Sequence, residues 1–592
     1  MTDNARRRNR LLAVALFAAL TLAFFAPNLP HLSDAIIGHP DSDAYKHVWG
    51  QWWVVDNIVH HGRYPVTSDR MNFPDNGGFW CLDGFNALLT MPLRLVMAPI
   101  TAFNLLVLMH VFLAAFFTYL FLRDLEVPWP GAVAGGAAFA FCPYMTAFPI
   151  GSGVAETQVI GLLPLYLLAL RRAWLGSMRA AVAAGFLIVA TGFACWSYGI
   201  YSGVITAGAI AGYFVFAWKD RARPADESRA PVDKKLAMRA VAFVVLAAVT
   251  ALPLGLIVRG TVKGDDAVYA RPLSVFPEGP KPWEEPALTS FALAEYVTPG
   301  EGGRHHDEFV DMLMYVAYPG LVVLALAMVG FVAARRRAWP YALGAGVFIL
   351  LSLGPVILLT RGSPTGVYNP LYIALYYVMP LFNTTIHSVD RFAIGAALFL
   401  AIGAGFGVEV IAKRIPRARV AGVVAAVVIV AESAFVSPSI WPLPTSPEPS
   451  MEVAQYLRDQ PGDFAVFDLP DVKEGTGLFP GEIFYWQIVH RRPIPYSLEG
   501  MAESVRYNAL YNDVHNAVTN EDAPPADFDG AIRDLAAAGF GYVVLWGRWI
   551  PDDREDELHT MFEALLEPLT VIGDAWIYRV PGAVDPGPDW WK

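Results

Sequence analysis

The chain has 592 residues, of which 55% are hydrophobic and only 16% charged, with a mean hydropathy of +0.41. That composition excludes an ordinary soluble enzyme and describes a polytopic α-helical membrane protein. The net charge of -11 says little about partners and shows no nucleic-acid footprint, and a membrane protein is expected to meet membrane lipids.

Arg6, Arg7, Arg8 and Arg10 precede a first apolar run at 11–27. Basic residues ahead of an apolar core also describe a signal peptide. Here the run passes into Pro27-Asn28-Leu29-Pro30 with only weak candidates for cleavage, which favours a retained signal-anchor helix.

The segment from His39 to Trp53 follows almost at once and puts Asp41 and Asp43 at a boundary between water and membrane. Carboxylates gathered there face water, a lipid headgroup or a metal. Tyr45, Val48, Trp52, Val55 and Val59 recur at helical spacing, and with Trp49 and Trp53 they predict a helix lying in the membrane interface. Short polar residues before a helix also act as caps. A cap needs only one of Asp41, Ser42 and Asp43, which leaves a second carboxylate, with Lys46 and His47 one turn on, for catalysis or a metal. Beyond the helix, Tyr64-Pro65 and Asn72-Phe73-Pro74-Asp75-Asn76-Gly77-Gly78 specify turns, and Asp69, Asp75 and Asp83 read as solvated acids. The apolar stretch 86–100 carries Pro92, Arg94 and Pro99 and reads as a re-entrant or interfacial element.

Further apolar runs stand at 102–122, 131–148, 157–170, 180–195, 199–217, 237–258, 316–334, 341–359, 392–411 and 420–436, giving about eleven spans with the first. The basic clusters at 6–10, 171–179, 219–239, 335–337 and 413–419 fall on one side if the N-terminus is cytoplasmic. The long loops 28–101, 259–315 and 360–390 and the C-terminal tail then lie outside. Cys142 and Cys195 fall in apolar runs and Cys81 in a polar loop, so no structural disulfide is expected.

On the outer side, Glu156, Thr157 and Gln158 edge the fourth span, where either a sugar or water would account for them. Arg304-His305-His306-Asp307-Glu308 reads as a solvated loop in preference to a zinc site, because adjacent histidines do not share a metal from one helix face. Arg361, His387, Asp390 and Arg391 belong to the third outer loop and are candidate substrate partners. For Arg391 the plain alternatives are a snorkelling side chain or a partner of Asp390. Glu409 and Glu432 lie near opposite faces and form no relay across the bilayer.

A proline-rich linker at 437–450 separates the membrane part, 1–436, from a small α/β domain at 451–592. In that domain helices are predicted at 451–457, 531–538 and 555–566, and strands at 464–469, 542–546 and 575–580.

The chain resembles the GT-C-type integral membrane glycosyltransferases, in particular their YfhO-like bacterial members. The resemblance rests on Asp41 and Asp43 after the first span, the long first outer loop, Ala137-Ala138-Phe139-Ala140-Phe141-Cys142-Pro143-Tyr144, and Leu163-Pro164-Leu165 before Arg171-Arg172. Met379-Pro380-Leu381-Phe382 leading to Asp390-Arg391-Phe392, Val466-Phe467-Asp468-Leu469-Pro470 and His490-Arg491-Arg492-Pro493 add to it. It implies a GT-C-like membrane domain in the bacterial cytoplasmic membrane. It also implies transfer of a sugar from a polyprenyl-phosphate donor to a glycan, lipid or protein acceptor outside. By position, Asp41 or Asp43 would activate the acceptor hydroxyl or help bind a divalent metal. Lys46, His47, Glu156, Arg361, His387, Asp390 and Arg391 would contact substrate. A flippase for a polyprenyl-linked lipid and a non-catalytic envelope assembly protein are the alternatives. Long outer loops favour the enzyme, since a transporter places polar sites at mid-membrane depth.

Overall fold

The computed structural model describes residues 3–62, 64–65, 67–68, 70–74, 78–79, 84–221, 234–262, 290–299, 316–360, 363–378, 389–437, 441–470, 479–496, 528–551 and 554–587. The chain divides into two compact units, Met1–Pro40 with Leu95–Leu254 and Leu273–Ser446, and Asp41–Arg94 with Gly255–Pro272 and Pro447–Lys592.

The first unit is helical, and helices occupy each of the apolar runs read from the sequence. Among the described residues five are long and apolar enough to cross a membrane: Pro99–Asp124, Trp129–Gly151, Lys235–Leu252, Val389–Ala412 and Ala418–Phe435. Met178–Ala194 and Leu321–Ala333 are apolar but shorter. The helix Ala393–Ala412 is buried along almost its whole length, and small residues let its neighbours approach closely. A Cβ on Gly330 would fall 2.0 Å from the Gly403 carbonyl oxygen, and one on Gly407 would fall 2.0 Å from that of Leu326. Only glycine fits at these crossings.

Several basic clusters meet at one end of this unit. Arg337 and Lys413 both reach Glu409 Oε1, at 3.0 and 2.9 Å. Arg337 Nη2 also donates to the Leu125 carbonyl at 2.7 Å, next to Asp124, which takes Arg171 and Arg172 at 3.5 and 2.8 Å. Glu432 is instead consumed by a helix start: its carboxylate accepts the backbone N–H of Leu321 at 2.6 Å and of Val322 at 3.1 Å, and the Tyr318 hydroxyl at 2.8 Å. A buried carboxylate at a helix N-terminus meets both unanswered donors and the positive end of the dipole.

The run 341–359 is not one helix. The helix Arg335–Ser352 stops before Gly354, whose φ is +66°, and Pro355. The apolar residues that follow form the strand Val356–Thr360, antiparallel to Ser363–Tyr368. A left-handed glycine followed by proline ends a helix whatever the hydropathy beyond it.

The second unit carries a four-stranded sheet: β1 (Ala465–Leu469), β2 (Phe540–Trp546), β3 (Glu567–Ile572) and β4 (Ala575–Arg579), in the order β1-β2-β4-β3. β1 and β2 are parallel, with Phe467 opposite Val543, and the other pairs are antiparallel. Helices Glu452–Asp459, Phe528–Ala538 and Glu555–Glu563 stand where the periodicity places them. The helix Glu482–His490 and strand β3 have no such signal: the first buries Ile483, Phe484, Tyr485 and Trp486 in succession, and the second buries none of its residues.

The first-loop helix, Ala44–His61, shares the core of this unit. Trp49 and Trp53 are buried in one cluster with residues of the sheet, and the Trp49 ring meets Phe484 edge-on at 5.7 Å. This corrects the expectation that these indoles sit in the membrane interface: they are packed inside protein, where each large ring removes more apolar area from water. Gly84–Arg94 is an 11-residue helix, about 16 Å long and too short to cross a bilayer core of about 30 Å. Arg94 is turned inward, its Nη2 donating to Gln51 Oε1 at 2.9 Å.

Candidate active site

The acidic turn of the second unit precedes the helix Ala44–His61. Its local hydrogen bond is made by Ser42, whose Oγ accepts the Ala44 N–H at 3.2 Å. Asp43 occupies the N-cap position without a side-chain bond to the helix. Its Oδ1 instead takes Lys46 Nζ at 2.8 Å, and Lys46 also lies over the Phe479 ring at 5.6 Å. Serine thus does the local work of a cap, and the carboxylate of Asp43 stands half-exposed beside a cation. Asp41 is partly buried and His47 is buried behind it in the helix.

A second polar constellation lies within the first unit. Arg391 Nη1 meets Glu156 Oε1 at 2.9 Å, across 235 positions of sequence. The Glu156 side chain is 8% exposed and that of Arg391 22%. The guanidinium lies over the Phe148 ring at 5.8 Å. Its Nε is buried and, among the described residues, has no hydrogen-bond partner. The short helix Ala155–Gln158 that carries Glu156 is tied to the helix Trp196–Arg221 by the Tyr198 hydroxyl, which donates to the Thr157 carbonyl. Tyr201, one turn on, packs against Phe392 at 4.8 Å. Tyr144 donates to the Asp390 carbonyl at 3.4 Å, and Asp390 itself is buried.

Glu156, Thr157 and Gln158 are all buried, so of the two accounts open at the sequence level, exposure to water falls. The structure brings together Glu156, Asp390 and Arg391, and separately Asp43 and Lys46. Arg361, His387, His305 and His306, and Asp69, Asp75 and Asp83 lie outside the described residues. The sequence reading passed over Ser197, Tyr198, Tyr201 and Ser202. Their signal is a pattern of i, i+1, i+4, i+5, which puts four polar groups on one face at the start of an apolar helix.

No protein-family model matches the sequence, and no curated protein sequence matches it. Solved structures do. The cryo-EM structure of arabinofuranosyltransferase AftD from Mycobacteria aligns with a TM-score of 0.54 at 16% identity, over 98% of this chain and 40% of that one. A mutant of that enzyme gives 0.56 at 14%, over 98% and 42%. The crystal structure of the Archaeoglobus fulgidus oligosaccharyltransferase in the apo form gives 0.51 at 14%, over 90% and 69%. The chain has the fold of the GT-C glycosyltransferases. It spans about two fifths of the length of the arabinofuranosyltransferase. At these identities the likeness is one of fold, and the GT-C scaffold leaves chemistry to the residues set on it.

A divalent metal at Asp41 and Asp43 would need further ligands. Among the described residues no three of His, Cys, Asp and Glu gather closely enough to hold one.

Proposed function

We propose that this protein is a membrane glycosyltransferase that moves a sugar from a polyprenyl-phosphate-linked donor to an envelope acceptor on the extracytoplasmic face. The observation that carries this reading is the GT-C fold matched over 98% of the chain. The buried Glu156–Arg391 constellation adds a cation with an unanswered Nε–H, which suits a phosphate oxygen.

In this reading Asp41 or Asp43 takes the proton of an acceptor hydroxyl as its oxygen bonds to the sugar C1. The bond from C1 to the phosphate oxygen breaks, and its electron pair leaves with the lipid phosphate. Arg391, in the first unit, remains the proposed cation for a phosphate oxygen of the donor. Lys46 pairs with Asp43 in the acidic turn and Glu156 holds the arginine, while His47 and Asp390 stay proposed substrate partners. Arg361 and His387 remain proposed substrate partners, as does YfhO-like membership. The proposed topology has about eleven spans in a bacterial cytoplasmic membrane, with the N-terminus inside and 451–592 outside. The gathering of Arg171, Arg172, Arg337 and Lys413 at one end of the first unit supports it.

The test is glycan transfer in membranes containing Asp41→Asn or Asp43→Asn protein at wild-type levels. At least one variant is expected to lose about a hundredfold or more in rate, the range of general-base contributions. Unchanged transfer in both removes the proposed role. Movement of labelled lipid-linked sugar across vesicles without any transfer would turn the reading to a carrier.

A further inference from the structure

Within the first unit, Gln158 is 1% exposed. Among the described residues neither its Oε1 nor its Nε2 meets a hydrogen-bond partner. A buried amide left unanswered costs about 1–3 kcal/mol, and replacement by an apolar side chain of similar size would relieve that cost. Gln158 sits two residues from Glu156, in the short helix Ala155–Gln158.

Two more buried groups, on elements bonded to that short helix, share this property. Among the described residues the Ser202 Oγ, fully buried, has no partner, and neither has Arg391 Nε. Ser202 lies one helical turn beyond Tyr198, whose hydroxyl holds the Thr157 carbonyl between Glu156 and Gln158. The elements bearing all three groups are thus tied directly to one another. Together they offer a carboxamide, a hydroxyl and a guanidinium N–H. A phosphate oxygen would use the guanidinium, while the carboxamide and hydroxyl, both donor and acceptor, complement sugar hydroxyls.

We propose that Gln158, two residues from Glu156, and Ser202, on the helix bonded to the same segment, are the hydrogen-bonding groups that select the sugar of the lipid-linked donor. The inference rests on the reading of the protein as a glycosyltransferase and deepens it. Apolar pockets discriminate weakly between sugars differing by a hydroxyl, whereas a buried polar group left unpaired by the wrong ligand discriminates strongly.

The test uses the full chain in detergent with three probes: bare polyprenyl phosphate, and polyprenyl phosphate carrying a pentose or a hexose. Affinity is read from ligand-dependent thermal stabilisation of wild type, Gln158→Met and Ser202→Ala. Wild type is expected to bind one sugar-bearing carrier at least about tenfold more tightly than the bare carrier. Gln158→Met should lose that sugar-dependent increment, keep bare-carrier affinity within about twofold, and melt no lower than wild type without ligand. Ser202→Ala should lose part of the increment. A ligand-free melting temperature that falls in Gln158→Met marks a structural glutamine and overturns the proposal. So does retention of the full increment in that variant, or its absence in wild type. Wild-type protein that shows the increment but transfers no sugar overturns the transferase reading and leaves the sugar site standing.

Discussion

Breaking the Glu156–Arg391 pair is the most informative single perturbation. At 2.9 Å the gross attraction is about 6 kcal/mol for an effective dielectric of about 20. Desolvation of both ions offsets much of that, but removing one partner leaves the other charge buried, at a cost of about 3–5 kcal/mol. Glu156→Gln and Arg391→Gln should each lower the apparent melting temperature of the detergent-solubilised protein by several degrees. The double variant leaves no unpaired charge and should lose less than the sum of the two, with a coupling of about 2 kcal/mol or more. The assay is a double-mutant cycle on thermal unfolding, with sugar transfer measured in parallel. Transfer should collapse in Arg391→Gln and stay lost in the double variant, because stability is recovered there but the cation is not. A coupling below about 0.5 kcal/mol, typical of exposed pairs, would refute the claim that this is a buried structural pair. Transfer restored in the double variant would refute the role of the cation.

Burial pushes the Asp468 carboxyl up from 3.8 to about 7, while the Trp546 indole N–H, donating to it at 2.9 Å, pulls the other way. The folded chain then keeps a proton that the unfolded chain releases, so this stabilisation is full below pH 3.8 and is lost as pH rises through about 7. At pH 8 the buried charge costs at most roughly 4 kcal/mol. Asp468→Asn should therefore match wild type in thermal melts near pH 4 and exceed it near pH 8; an equal difference at both values contradicts this. Glu432→Ala leaves the Leu321 and Val322 N–H groups and the Tyr318 hydroxyl without that carboxylate. It should cost about 2–4 kcal/mol in thermal unfolding, with Glu432→Gln intermediate. Gly407→Val would drive a Cβ against the Leu326 carbonyl. It should cost about 3 kcal/mol or more and reduce monodisperse protein on size exclusion; a normal profile would show that the two helices can part.

Much of the fold is legible because single helices and strands announce themselves locally. The helix Pro99–Asp124 is legible by the length of its apolar run and strand β2 by its aromatic and β-branched residues after a glycine, and the glycine and proline at 354–355 mark a break that the apolar run conceals. The helix Glu482–His490 is unreadable for the opposite reason: buried on every side, it has no polar face to set a period. The tryptophans of the first-loop helix misled in a related way. Trp49 and Trp53 look the same in sequence whether they meet headgroups or the Phe484 ring, and only the fold supplies that ring.

By itself the sequence determined that this is a polytopic membrane protein with an acidic turn after its first apolar run, because hydropathy and charge placement are one-dimensional. It also offered Glu156 and Arg391 as candidate substrate contacts, and named Thr157 and Gln158 beside Glu156 with a sugar or water as equal accounts. Only the tertiary structure decided that Glu156 and Arg391 are partners, that Gln158 is buried with its amide unanswered, and that Ser42 makes the local helix bond that leaves Asp43 to Lys46. Pairing across 235 positions depends on how helices pack. Burial depends on which neighbours exclude water, and neither is written in any local stretch of chain.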